Sequence, residues 1–223
     1  MESEGRVLLV HKPYEWTSFD VVNKLRYRLK IKKIGHAGTL DPLATGLLII
    51  CTGKMTKRID EFQAQEKEYT GKFVLGQSTP SHDLETPVSE AQDISLITES
   101  EIHAATQKFI GTIQQIPPLH SAIKVDGKRA YKLARKGKDV ELRPREVIIK
   151  EFEITSVDKP VVSFRVVCSK GTYIRSLARD FGQALGTVAY LSELCRTRIG
   201  EFKLTDALTI DQVLPLPSNE NLS

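Results

Sequence analysis

Two β-rich runs within residues 145–168 constrain the fold of this chain more than any other feature. The runs, REVIIKEFEITSV and VVSFRVVC, are joined by only three residues, DKP, which is typical of an antiparallel hairpin. Shorter apolar runs predict further strands at 6–13, 47–53 and 69–76. Because these strands outnumber the βαβ units that would alternate with them, we predict an α/β protein of the α+β type, with a mixed, largely antiparallel sheet flanked by helices.

Helix start signals occur at two threonines. Thr17 with Asp20, and Thr98 with Glu101, have the three-residue spacing of capping boxes. Apolar residues recur at helical spacing after each of them, which predicts a helix at both positions. Two further helices are predicted at 54–67 and 173–186.

Charge is distributed unevenly along the chain, although its formal net charge is only +4. Residues 21–34 contain six lysines and arginines and no acidic residue, and residues 121–150 contain ten against four acidic residues. Residues 81–106 contain six acidic residues and no lysine or arginine. The two basic runs are either solvated helix faces or parts of a basic surface whose natural partner is a polyanion.

Composition excludes several classes of protein. With 223 residues, 40% of them hydrophobic, the chain can bury a sizeable core. No segment approaches the roughly 18 apolar residues of a membrane span, and the N-terminus does not resemble a signal peptide. The widely separated Cys51, Cys168 and Cys195 argue against a zinc site or a disulfide framework and fit a reducing cytoplasm. We therefore expect a cytoplasmic protein with no metal and no cofactor.

The segment GHAGTLDPLATG, residues 35–46, has the composition of a turn that holds a carboxylate in place. Pro42 biases Asp41 toward an extended backbone, and the glycines permit tight turns and the close approach of another molecule. A short side chain on a fixed backbone suits a nucleophile or a general base. The same local sequence also fits a loop in which Asp41 caps the following segment.

Other candidate residues have a structural and a functional interpretation. His36 contacts a partner, caps the backbone, or joins Asp41 as a metal ligand, although no cluster at ligand spacing supports a metal. Arg175, two residues after Tyr173 at a predicted strand-to-helix junction, either lies on the surface or pairs bidentately with Asp41 and keeps it ionised. Tyr69 is either a half-buried strand residue or a ring that stacks on a nucleobase.

Taken in order, these segments closely resemble the TruB family of tRNA pseudouridine synthases. Similar motifs cover roughly residues 6–212: HKPYEWTS, GHAGTLDPLATGLL, KEYTGKFVLGQST, PPLHSAIKVDGKRAYKLARKG, GTYIRSLARDFG and LSELCRTRIGEF. The resemblance implies the pseudouridine synthase fold and a catalytic role for Asp41, Tyr69 and Arg175. It further implies that the substrate is bound by Lys12, His36, Tyr173 and Leu194, and we expect the basic residues Lys128, Arg129 and Lys132 to attract RNA phosphates.

The resemblance also implies a reaction and a partner. A monomer without a cofactor would bind tRNA and convert a uridine of its T loop, position 55, into pseudouridine by breaking the N1–C1′ bond and joining C5 to C1′. The base would have to be extruded from the folded loop, with His36 in the space it leaves. Tyr69 would stack on the uracil and take part in removing the proton from C5. Asp41 would attack the sugar or the base, or remove a sugar proton. A non-catalytic RNA-binding or RNA-chaperone protein on the same fold is the alternative.

Domain organisation follows from the same resemblance. We expect one catalytic domain at residues 1–212 and a polar tail at 213–223, without the PUA domain that many family members carry. Glu15 stands where the family often has glycine. The loop at 79–83 departs from the family pattern but keeps Asp83, which leaves the contacts of that loop with RNA open.

Overall fold

The computed structural model describes residues 5–119, 124–125, 128–129 and 142–213. In chain order its strands and helices are β1 (Val7–Lys12), α1 (Ser18–Leu29), β2 (Ile34–Ala37), β3 (Thr45–Thr52), α2 (Ile59–Ala64), β4 (Lys67–Leu75), α3 (Glu99–Ala105), β5 (Gly111–Gln115), β6 (Lys124–Val125), β7 (Lys128–Arg129), β8 (Arg145–Asp158), β9 (Val161–Cys168), α4 (Ile174–Ala184), β10 (Ala189–Ile199) and β11 (Phe202–Lys203). The chain forms two compact units. The first unit holds the residues through Lys67 and those from Cys195 onward, and the second unit holds Glu68–Leu194.

Strand β3 is central to the first unit. It pairs antiparallel with β1 and with β2. It also pairs in parallel with the last part of β10, where Cys195 lies opposite Thr45 and Arg196 lies opposite Gly46. The short strand β11 turns back antiparallel on β10.

Two buried clusters explain the uninterrupted apolar run in β3. Leu48 and Ile50 belong to one cluster, and Leu47, Ile49 and Cys51 belong to the other. Successive strand side chains point to opposite faces, so both faces of β3 are buried and the strand needs apolar residues at every position. The first cluster is completed largely by α1, which contributes Val21, Val22, Leu25 and Leu29.

Both predicted capping boxes are present. The Thr17 hydroxyl accepts a hydrogen bond from the Asp20 amide, and the Asp20 carboxylate accepts one from the Thr17 amide. Helix α1 starts at Ser18, directly after Thr17. Thr98 and Glu101 make the same pair of bonds before α3. The helix predicted at 54–67 is instead a 3₁₀ turn followed by the six-residue α2, and neither of these has a side-chain cap.

The second unit is a sheet packed around a cluster of aromatic rings. Its strand order is β10, β4, β9, β8, β5, and β8 and β9 form the predicted antiparallel hairpin. Phe73 and Phe164 stack with ring centroids 4.1 Å apart. Phe181 of α4 lies 5.4 Å from the ring of Phe152, so the apolar side of the helix is fixed against the sheet.

The predicted fold class, a mixed and mostly antiparallel sheet with helices, is confirmed. Strands β2, β5, β7, β10 and β11 are among those that were not predicted from the sequence. Within the described part of the chain, no helix is both long enough and apolar enough to cross a membrane. The expected domain boundary at residue 212 stays a prediction.

Replacing Gly46 by alanine should strongly destabilise the protein. Gly46 has a φ of 106°, and a Cβ there would lie 2.4 Å from the carbonyl oxygen of Arg196. Overpacking and backbone strain together should lower the free energy of unfolding by about 3–5 kcal/mol, measured by urea denaturation. The matched control is Gly111→Ala, because Gly111 has a φ of 97° but no described neighbour within 4 Å. It should cost only the strain, about 1–2 kcal/mol, and equal losses in the two variants would contradict the steric explanation.

Candidate active site

Asp41 lies in the turn that connects β2 to β3 in the first unit. Its side chain is half-buried, and its carbonyl oxygen accepts a hydrogen bond of 3.1 Å from the Ala44 amide. Gly38 and Gly46, near the ends of the turn, have φ values of 78° and 106°, which favour glycine. The chain therefore reverses direction around the carboxylate.

Ser18, the first residue of α1, fixes the residue before Asp41. Its Oγ donates to the carbonyl oxygen of Leu40 at 3.2 Å and accepts from the amide of Leu40 at 2.9 Å. Both residues are buried. The capping box positions the start of α1, so the helix determines where this hydroxyl lies and the hydroxyl holds the backbone of Leu40.

Lys12, the last residue of β1, fixes the residue after Asp41. Its side chain is fully buried. Its Nζ donates to the carbonyl oxygens of Pro42 at 3.1 Å, Pro13 at 2.8 Å and Trp16 at 2.5 Å. Three carbonyl acceptors use all three ammonium hydrogens, so Lys12 is a structural clamp on the turn.

Arg196, on β10, binds both ends of the same turn. Its side chain is buried, with 1% of its surface exposed. Its Nε donates to the carbonyl oxygen of Leu47 at 2.8 Å, and its Nη2 donates to the carbonyl oxygen of Gly38 at 3.1 Å. The turn that contains Asp41 is thus held by side chains from β1, α1 and β10.

Burial and positive charge lower the pKa values of Lys12 and His36. Burial lowers the pKa of Lys12 to about 8, although the Asp41 carboxylate acts in the opposite direction. Burial also lowers the pKa of His36, and the charge of Arg196 adds to the effect. His36 is therefore a neutral imidazole at pH 7. Its Nδ1 is buried and has no hydrogen-bond partner among the described residues.

In the second unit, Arg175 lies in the first turn of α4 and forms an ion pair with Asp83. The Arg175 Nε is 3.5 Å from Oδ2 of Asp83, and Nη1 donates to the carbonyl oxygen of Ser81 at 3.4 Å. Both side chains of the pair are at least nine-tenths buried. Oδ1 of Asp83 accepts from the Glu85 amide at 3.0 Å, which holds the loop at 79–86 in place.

Three more candidates lie in the second unit. Tyr173 is the N-cap residue of α4, and its amide and carbonyl groups bind the side chain of Gln115 at 2.8 and 3.1 Å. Tyr69 is buried on β4, and Leu194 is half-buried on β10. The residues predicted for the site are thus divided, with Lys12, His36 and Asp41 in one unit and the rest in the other. The pairing predicted between Arg175 and Asp41 stays a prediction.

The remaining candidates are the basic residues of the segment at 121–150. Lys128 and Arg129 form β7, which pairs antiparallel with β6, and Lys132 lies outside the described residues. Among the residues that are described, no group of three or more His, Cys, Asp or Glu side chains could hold a metal ion.

Family comparisons decide what kind of protein carries this geometry. The model of the TruB family pseudouridylate synthase N-terminal domain matches residues 26–174. That of the tRNA pseudouridylate synthase B C-terminal domain matches residues 175–220. The chain belongs to the TruB family.

Named relatives and solved structures agree with this family. The chain is 55% identical to a tRNA pseudouridine synthase B of Parabacteroides distasonis, covering 94% of this chain and 92% of the relative. It is 56% identical to that of Phocaeicola vulgatus, covering 93% and 91%. A solved Cbf5–Nop10–Gar1 complex contains a chain of similar fold, with a TM-score of 0.72 and 32% identity, covering 92% of this chain and 53% of that chain. This TruB-family chain therefore spans about half the length of the solved chain.

These comparisons confirm three predictions made from the sequence: the TruB family, the fold class, and the activity of an isomerase that forms pseudouridine. The roles of individual residues stay predictions. One interpretation changes in detail, because the close approach at Gly46 is made by the backbone of Arg196 within the same unit.

Sequence reasoning missed Ser18 and Arg196 as residues that position the Asp41 turn. Ser18 follows a capping threonine, so its place in the sequence indicates only the start of a helix. Arg196 stands in a segment with two other charged residues, Glu193 and Arg198, where a basic residue is normally solvated. Only the pairing of β10 with β3 reveals that its side chain is buried.

The buried amine of Lys12 should make stability depend on pH. Its lowered pKa means that the unfolded chain binds this proton more tightly than the folded protein, so the contribution of Lys12 to stability rises as the pH rises above about 8. Between pH 7 and 9.5, the free energy of unfolding of the wild type minus that of Lys12→Met should increase by about 2 kcal/mol. Lys24→Met, at an exposed position of α1, is the control. Parallel curves for wild type and Lys12→Met would refute this assignment.

Ser18→Ala should reduce turnover more than a variant of similar stability that lies away from the Asp41 turn. The change leaves the buried amide of Leu40 without its acceptor and loosens the residue before Asp41. We expect kcat for pseudouridine formation to fall about tenfold with little change in KM, since displacement of Asp41, the predicted catalytic carboxylate, acts on the chemical step. Thr98→Ala is the control, because it also removes a hydroxyl that binds a backbone amide, here at the N-cap of α3 in the second unit, at a cost of about 1 kcal/mol. Equal kcat values in the two variants would contradict the clamp.

Proposed function

We propose that this TruB-family chain converts the uridine at position 55, in the T loop of tRNA, into pseudouridine. The observation that carries the proposal is that side chains from three separate elements bind backbone groups on both sides of Asp41. Burying these polar side chains is energetically unfavourable, but it holds a carboxylate at one position, as a reaction that uses that carboxylate requires.

The proposed reaction balances without any co-reactant. The N1–C1′ bond breaks, the uracil turns, and C5 forms a bond to C1′. The hydrogen on C5 is then released to solvent while N1 gains a proton. An ionised Asp41 attacks the sugar or the base, or removes a sugar proton, and each route needs a carboxylate of fixed orientation.

The other candidates have roles around the same uridine in this proposal. Extrusion of the base costs a few kcal/mol, and His36, as a neutral imidazole, can fill the space that it leaves without placing another charge there. Tyr69 stacks on the uracil, and Tyr173 and Leu194 contact the nucleotide. Arg175 is proposed to favour the ionised form of Asp41.

The proposed partner is tRNA, bound by a monomer through its T arm. The basic segments at 21–34 and 121–150, the second of which contains Lys128, Arg129 and Lys132, supply electrostatic attraction to phosphates. Lys12 is not assigned to these phosphate-binding cations, because its ammonium binds backbone carbonyls. Its proposed part in substrate binding is therefore indirect, through the position of the turn.

Asp41→Asn should abolish turnover while leaving the Kd for tRNA nearly unchanged. The amide keeps the shape of the side chain but can neither act as a base nor as a nucleophile. Turnover is measured as tritium release from tRNA labelled with [5-³H]uridine, and binding by filter retention. The control is Asp60→Asn, an identical change at an exposed position of α2.

Each outcome of this experiment has a clear consequence. Substantial tritium release by Asp41→Asn would refute the assignment of the catalytic carboxylate. A wild-type protein that binds tRNA but releases no tritium would favour the non-catalytic RNA-binding alternative. A tRNA with cytidine in place of uridine at position 55 tests the site of reaction, and continued release from it would refute the T-loop target.

A further inference from the structure

We propose that the solvent side of α1 is a docking surface for unstacked nucleotides of the RNA substrate, with Tyr27 as the ring on which a base stacks. This α1 surface consists of Phe19, Asn23, Lys24, Tyr27 and Lys30. The proposal rests on the proposed function, because it takes RNA as the substrate, but it concerns a surface other than the Asp41 turn.

Two aromatic side chains on α1 are exposed and do not belong to the core clusters of the described residues. Tyr27 is 87% exposed and Phe19 is 57% exposed. They are eight residues apart with Asn23 midway, so all three lie on one side of the helix, and the two rings are separated by about 12 Å along its axis. The opposite side carries the residues that pack into the core. Core packing therefore does not account for Tyr27 or Phe19.

Exposed cations lie close to Tyr27 in the sequence, and its own segment contains no carboxylate to oppose them. Lys24, Lys30 and Lys32 are exposed, and residues 21–34 contain no acidic residue. The one acidic residue of α1, Asp20, is in the first turn, where it accepts hydrogen bonds from Thr17.

Not every basic residue of the segment contributes to the α1 surface. Nε of Arg28 donates to the carbonyl oxygen of Val213 at 2.8 Å, and Nη2 donates to that of Asp211 at 2.7 Å. Nη1 of Arg26 donates to Oδ1 of Asn23 at 2.6 Å. The lysines are the exposed cations, and their flexible ammonium groups suit contact with phosphates at variable positions.

This combination favours RNA over an apolar partner. Proteins that bind single-stranded nucleic acid combine cations that follow the phosphates with aromatic rings that stack on bases. A surface for another protein would be expected to have more contiguous apolar area than two rings separated by polar and charged side chains. The basic segment also leads directly into β2, which carries His36, the residue proposed to contact the extruded base.

The test separates stacking from electrostatic attraction. Tyr27→Ala should raise the Kd for tRNA about tenfold, in the range that loss of one stacked base gives, without changing the salt dependence of binding. Tyr27→Phe keeps the ring and should bind like the wild type. The triple variant Lys24→Gln, Lys30→Gln, Lys32→Gln should instead flatten the plot of log Kd against log salt concentration.

A matched control and a second RNA complete the experiment. Leu96→Ala truncates another apolar side chain that is 90% exposed, in the acidic part of the second unit, and should leave the Kd unchanged. A fully duplex RNA offers no unstacked base, so Tyr27→Ala should bind it as the wild type does. An unchanged Kd of Tyr27→Ala for tRNA, or an equal loss on duplex RNA, would overturn the proposal. Failure of the proposed function would appear separately, as a wild type that releases no tritium.

Discussion

The buried guanidinium of Arg196 is the interaction on which the first unit most depends. Its Nε and Nη2 bind the carbonyl oxygens of Leu47 and Gly38, at the two ends of the turn that contains Asp41. Burying this charge is costly unless its donors are paired, so the guanidinium and the two carbonyl groups stabilise each other's positions. The backbone of the same arginine lies against Gly46 and requires a glycine there. One residue of β10 thereby determines the path of β3 and of the turn before it.

Parts of the fold that depend on local sequence were predictable, and parts that depend on distant pairing were not. The capping box at Thr17 and the apolar run of β3 are properties of consecutive residues, and both predictions are confirmed. Strand β10 was missed because it alternates poorly and contains Glu193, Arg196 and Arg198. Its strand conformation comes from pairing with partners far away in the sequence, which a single sequence does not display.

The candidate site shows the same division. Asp41 could be singled out because a proline and several glycines around a carboxylate are a local signal. Lys12 could be singled out only by resemblance, because the carbonyl of Pro42 that it binds lies thirty residues further along the chain. Ser18 gave no signal, since its hydroxyl binds both backbone groups of Leu40, twenty-two residues away. Nearly every residue has the same backbone amide and carbonyl groups, so the sequence does not indicate which of them a side chain binds. Contacts of this kind are therefore found only in the structure.

Two populations of cations follow from these contacts, and they respond to different conditions. Lys12 and Arg196 are buried and bind carbonyl oxygens, so salt screens them weakly, and they act on the site through the position of the turn and the pKa values of neighbouring groups. Lys24, Lys30 and Lys32 are exposed, and their attraction for phosphates falls steeply as salt rises. Because the populations lie on different parts of the fold, salt acts mainly on RNA binding, and the pH range near 8 acts mainly on the clamp that holds Asp41.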